Sequence, residues 1–170
     1  MKVRKAVLTD AKGIAIVQVD SWRTTYKGIV SDDYLQKLSY EEHEKIWHGA
    51  ISQKTMYVAE DNDGKIVGFS IGGKERSGNY PDYKGEVYAI YILQEHQGKG
   101  FGTLLMKPIV EDLLEEHITT IAVYVLEDND ARFFYEALGA KKIDSVEIEI
   151  GGKKLTELVY GWDDIREFIY

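Results

Sequence analysis

The sequence contains no cysteine, so it offers neither a disulfide framework nor a thiolate metal site. It has no stretch near the ~20 uninterrupted apolar residues of a membrane span, and its opening Met1-Lys2-Val3-Arg4-Lys5-Ala6 lacks the apolar core of a secretory signal. A soluble, cytoplasmic protein with no membrane partner is the expectation. An excess of positive charge is missing too. With 29 acidic and 21 basic residues the formal charge is -8, which argues against binding nucleic acid. Such acidity suits cationic or neutral partners, or serves solubility alone. The histidines His43, His48, His96 and His117 show no ligand spacing, so no metal is expected. What is present is ordinary for a globular chain: 44% apolar and 29% charged residues in 170, the size of one domain.

Pattern along the chain predicts a strand over 2–6, then a helix capped near Thr9 or Asp10 and carrying Ile14, Ile16, Val17, Val19 and Trp22. Ser31-Asp32-Asp33 predicts a short helix through Leu35 and Leu38, and Ser39-Tyr40-Glu41-Glu42 fits a capping box that opens another. From Thr55 the period changes. Met56–Ala59 and Lys65–Ile71 flank Asp63-Gly64 as a hairpin, a loop follows over 77–84, and 87–93 reads as a further strand. Residues 100–117 have helical spacing, with a kink expected at Pro108, and 118–126 is a β-branched strand. Asn129 can cap a helix ending at Gly139, with Ala131, Phe134, Tyr135 and Leu138 on its inner side and with Phe133 and Phe134 read as core. Ile143–Ile150 and Lys154–Gly161 form a last hairpin about Gly151-Gly152. The sum is an α+β domain over 1–170 with a central mixed, mostly antiparallel sheet, flanked by helices and containing one parallel crossover.

The most informative stretch is Gln97-Gly98-Lys99-Gly100-Phe101-Gly102-Thr103, a glycine-rich turn from a strand end into a helix start. The first N–H groups of a helix have no partner within it and lie at the positive end of its dipole, so a pyrophosphate can accept hydrogen bonds there. Lys99 can add charge and the Thr103 hydroxyl a further donor. A P-loop would need Gly-Lys-Ser/Thr after four spacer residues, and the dinucleotide fingerprint a third glycine where Thr103 stands; neither fits.

On Gln97, Gly100 and Gly102 the chain resembles the GNAT acetyltransferase superfamily, whose acetyl-CoA motif is Gln or Arg, two residues, Gly, one residue, Gly or Ala. Glu86 and Ala89-Ile90-Tyr91-Ile92 resemble the family's fourth strand, and Asn129-Asp130-Ala131-Arg132-Phe133-Phe134-Tyr135-Glu136-Ala137-Leu138-Gly139-Ala140 its second signature, with the alanine one place early. The resemblance covers nearly the whole chain. It implies an acetyl-CoA-dependent N-acetyltransferase that acetylates a primary amine of a small molecule or peptide by direct attack. It also implies a homodimer as a reasonable assembly.

By that resemblance Gln97 to Thr103 hold the pyrophosphate, and the backbone of Ile90, Tyr91 and Ile92 faces the pantetheine arm and the acetyl carbonyl. Asn129 contacts the pantetheine arm, or caps its helix, or does both. Tyr135 is the candidate general acid for the departing thiolate, a phenol being basic enough to hold its proton until then, or else it is a core tyrosine. Glu86 is the candidate general base, an exposed edge charge, or a binder of the amine cation, on a strand face shared with Tyr88, Ile90 and Ile92. Trp22, Tyr26 and the helices through Trp47 either line an acceptor pocket or belong to the core. The alternative function is an acyl-CoA-binding regulatory module without turnover.

Overall fold

Short polar contacts set the N-terminal helices. In the computed structural model, which describes residues 2–168, β1 (Lys2–Lys5) leads into α1 (Ala11–Thr25). The expected domain limits, 1 and 170, lie outside the described residues. Asp10 precedes α1 without capping it. Its buried carboxylate accepts from the Val7 N–H at 2.8 Å and from both terminal nitrogens of Arg4 at 2.8 and 2.9 Å. Arg4 also donates to Glu60 at 2.7 Å, tying the sheet edge to the helix start. Ser31 opens α2 (Asp32–Gln36), its hydroxyl accepting from the Tyr34 N–H, and Ser39 opens α3 (Tyr40–Gln53), accepting from the Glu42 N–H at 3.2 Å. Both caps fall where the sequence predicts them.

The strands β2 (Met56–Glu60), β3 (Ile66–Lys74), β4 (Gly85–Ile92), β5 (Ile121–Leu126), β6 (Lys141–Ile150) and β7 (Lys153–Trp162) complete a seven-stranded sheet of order β1-β2-β3-β4-β5-β7-β6. Every neighbouring pair is antiparallel except β4 and β5, joined through the crossover helix α4 (Phe101–Glu115). The expected α+β class and mixed sheet are therefore found. One face carries α1 and α3, with Trp47 edge-on to Phe69 at 5.1 Å. The other carries α4, whose Leu105 and Ile109 sit over Gly68 and Gly72, and α5 (Ala131–Ala137). Phe69, Met56, Leu105 and Met106 are fully buried, and each such side chain contributes about 1.5–3 kcal/mol. No helix among the described residues is long and apolar enough to cross a membrane.

The helix is continuous through Pro108, where the proline removes the bond to the Leu104 carbonyl, on the partly exposed side of the helix. The next carbonyl, Leu105, accepts from the buried Ser70 hydroxyl at 2.9 Å. In β4 the alternation is interrupted. Ile71 pairs with Ala89 but Gly72 with Val87, so Tyr88 is an extra residue, a bulge that reverses which face Glu86 occupies. Glu86 pairs with Gly73 and shares the α1 face with Ala89 and Tyr91, not with Ile90 and Ile92. A bulge is a register event between strands, which period-2 reading of one strand cannot register.

Candidate active site

Parallel pairing of β4 and β5 covers only Gly85–Ile121, Glu86–Ala122 and Val87–Val123. Beyond Val87 the strands part, leaving 88–92 of β4 and 124–126 of β5 without each other. A cavity of about 1180 Å³ occupies the gap and reaches both faces of the sheet. Ile90, Tyr91 and Ile92 form one wall, so the strand that the sequence singles out presents backbone to the cavity.

The glycine turn lies at one end. Gly98 and Gly100 have φ of 73° and 88°, a left-handed conformation that side chains resist. A Cβ on either would meet nothing, so conformation and not crowding by the protein selects glycine there. Gly102 is selected by space, since a Cβ would come within 2.9 Å of the Phe134 ring. In this conformation the N–H groups of Gly98, Lys99, Gly100, Phe101, Gly102 and Thr103 have no acceptor among the described residues. Gln97 turns inward and donates to the Ile92 carbonyl at 3.0 Å, fixing the turn to the end of β4. Thr103 lines the cavity, and Lys99 is exposed on the rim. The Phe101 ring is buried edge-on to His96, so Phe101 has only its backbone to offer a ligand.

Tyr135 enters from the α4 and α5 face, edge-on to Trp162 at 5.9 Å. It is 6% exposed and lines the cavity; burial, with the Tyr91 phenol, pushes its pKa far above that of a free phenol, so it holds its proton at neutral pH. The neighbours read as core divide. Phe134 packs over Gly102, but Phe133 is 52% exposed beneath the Arg132 guanidinium and is not core. Asn129 caps α5, its side-chain oxygen accepting from the Ala131 N–H at 2.9 Å, while its amide donates to the Tyr26 hydroxyl at 3.1 Å. It joins α1 to α5 across the cavity.

On the α1 face stand two glutamates. Glu86 is 2% exposed and is no edge charge: Arg76 gives it a guanidinium contact at 2.7 Å and a backbone N–H at 3.1 Å. Arg76 in turn stacks on Tyr88 at 3.9 Å. Glu157 of β7 pairs with Leu126 of β5, which places it on the same face as Glu86. Burial first, and the Glu86 charge second, raise its pKa. Trp22 and Tyr26 pack edge-on at 4.6 Å and line the cavity, while Trp47 lies outside it against Phe69. Trp22 Nε1 is buried without an acceptor at hydrogen-bonding geometry, although it lies near enough to Tyr91 to ease that phenol's ionisation. Sequence reading singles out neither Arg76 nor Glu157. The one signal for Glu157 is local: in the alternation Leu155, Glu157, Val159 a carboxylate occupies a position of apolar period.

The profile of the Acetyltransferase (GNAT) family matches residues 17–140. The chain is 42% identical to the uncharacterised N-acetyltransferase YuaI of Bacillus subtilis over 163 residues, 96% of this chain and 93% of that one. It is 24% identical to a spermidine N(1)-acetyltransferase of Thermoplasma acidophilum, over 85% of this chain and 91% of the other. The PaiA N-acetyltransferase of Thermoplasma acidophilum, solved in complex with coenzyme A, matches in fold with a TM-score of 0.72 over 92% of this chain and 98% of that one, at 21% identity.

Proposed function

The chain belongs to the acetyltransferase (GNAT) family, and from that premise we propose that it moves an acetyl group from acetyl-CoA to a primary amine of a small molecule or peptide by direct attack. One observation carries the proposal: the run of unpartnered amides from Gly98 to Thr103 stands at the mouth of a cavity held open by the parting of β4 and β5. The residues fit such a ligand. Amides at the positive end of α4 suit a diphosphate, and the gap has the size and apolar walls of a small-molecule site. Acetyl-CoA, when bound, supplies the activated acyl carbon and a thiolate leaving group.

The chain's own groups have separate tasks. Gly98, Gly100 and Gly102 let the turn aim its amides outward, with Gln97 anchoring it to Ile92. The backbone of Ile90, Tyr91 and Ile92 borders the pantetheine arm, and Asn129 stands across from them. Tyr135 keeps its proton until a thiolate needs it, a retention that its burial enforces. Glu86, held by Arg76, contributes negative charge on the side from which an amine approaches. The same domain is proposed to span the whole chain.

Acetyl-CoA mixed with polyamines, amino acids, aminoglycosides and peptides, followed by thiol release, tests the reading. Acetyl-CoA-dependent release with at least one amine is expected. Coenzyme A binding with no release across the panel would favour the alternative, a regulatory acyl-CoA-binding module.

A further inference from the structure

Glu86 and Glu157 share a cavity but not a situation. Glu86 has a guanidinium and a backbone amide; the Glu157 carboxylate, half-buried opposite Leu126 and Val146, has neither hydrogen bond nor ion pair among the described residues. Arg76 is the only cation among the described residues lining the cavity, and it is already engaged by Glu86. Trp22, Tyr26, Tyr91 and Tyr124 line the same cavity, and the Tyr26 and Tyr91 phenols lie near enough to Glu157 to interact with its charge. An unpaired carboxylate costs free energy in such a place unless a cation joins it. Aromatic faces with one carboxylate attract an alkylammonium ion through charge and through the ring quadrupoles, and repel anions.

Resting on the acetyltransferase reading above, we propose that Glu157 is the acceptor site: it binds the acceptor amine as an alkylammonium ion and takes the proton that must leave before nitrogen attacks.

The balance is complete. The ammonium gives one proton to the Glu157 carboxylate and becomes a neutral amine. Its nitrogen lone pair forms a bond to the acyl carbon and the carbon–sulfur bond breaks, the electron pair going to sulfur. Tyr135 protonates that sulfur, the phenolate recovers the second proton from the new amide nitrogen, and Glu157 returns the first to water. The faces agree with this order, because Glu157 lies on the α1 side of the gap and Tyr135 enters from the α5 side. The titratable and charged groups facing Glu157 are Tyr26 at the end of α1, Glu86 and Tyr91 from β4, Arg76 and Tyr80 from the loop after β3, Tyr124 from β5, and Asp144 from β6, which shares the Glu157 face and accepts from the Tyr80 hydroxyl at 2.6 Å. Tyr135 comes from α5, and Asp128 and Asp130 stand at the mouth. The phenols are neutral at neutral pH, so Glu86 is the charge that chiefly opposes ionisation of Glu157.

Hexylamine, cationic at neutral pH, and aniline, neutral there, serve as probes with wild type and Glu157→Gln. Calorimetry on the protein saturated with coenzyme A should show hexylammonium binding weakened about 10-fold to 100-fold by the substitution, with coenzyme A affinity unchanged. The kcat/KM ratio of hexylamine to aniline should fall by a similar factor, and the acid limb of the hexylamine pH profile should move or vanish; a merely structural role would lower both substrates together. Equal hexylammonium binding in both proteins, or no binding to wild type, overturns the proposal. Thiol release absent with every amine, beside ammonium binding that requires Glu157, would refute turnover while leaving the ammonium site standing.

Discussion

The two ends of the cavity are built from different materials. At the glycine turn the working groups are backbone amides from one short stretch, Gly98 to Thr103, and the side chains serve mainly to let the backbone adopt its shape. At the opposite end they are side chains from α1, the loop after β3, β4 and β7, brought together only by the sheet. A site made of backbone imposes spacing on consecutive residues. One made of distant side chains imposes nothing that consecutive residues reveal.

The largest effect should arise between these ends. Tyr135→Phe keeps the ring that packs on Trp162 and removes only the hydroxyl, so kcat should drop by roughly 100-fold or more with acetyl-CoA affinity nearly unchanged. Turnover at the wild-type level would return Tyr135 to the core. Next comes the backbone end. Gly100→Val puts a β-branched residue at φ 88°, and coenzyme A should bind about 10-fold to 100-fold more weakly with little change in the acceptor KM. Should that variant bind coenzyme A normally, the diphosphate does not sit on this turn.

What could be read from the sequence follows the same division. The Asp63-Gly64 hairpin, the Ser31 and Ser39 caps and the turn at Gln97 to Thr103 each depend on residues within a few places of one another, and each is found where its local chemistry puts it. The facing of Glu86 was not legible, because the bulge at Tyr88 exists only as an offset against β3. Nor was the role of Arg76, a loop residue whose importance depends on a carboxylate ten positions on in sequence but beside it in space. Phe133 misleads by composition: an aromatic on a short helix reads as core until its neighbours settle which side faces out.

At the side-chain end, Arg76→Gln should leave the Glu86 carboxylate buried with its backbone amide but no counter-charge. A fully buried pair broken in this way costs more, but the Arg76 side chain is 57% exposed, so the loss should be about 1–2 kcal/mol. Denaturant midpoints measure it. A variant as stable as wild type would mean that Glu86 is solvated in practice, and the contrast between a held and an open glutamate would disappear.

The smallest effect is the most discriminating. Folding raises the pKa of Glu157, so the folded chain binds that proton more tightly than the unfolded chain, and stability declines as pH rises through the folded-state value. At neutral pH the ionised carboxylate is therefore a cost that Glu157→Gln removes. The variant should melt about 1–3 °C higher than wild type at neutral pH. Below the ordinary carboxylate range both states carry the proton and the gain should vanish. A group retained for packing would show the opposite sign, since replacing it would lower the melting temperature at every pH. Stabilisation confined to neutral and higher pH, in a variant that binds hexylammonium poorly, would identify Glu157 as a residue that the fold tolerates for the sake of a cationic ligand.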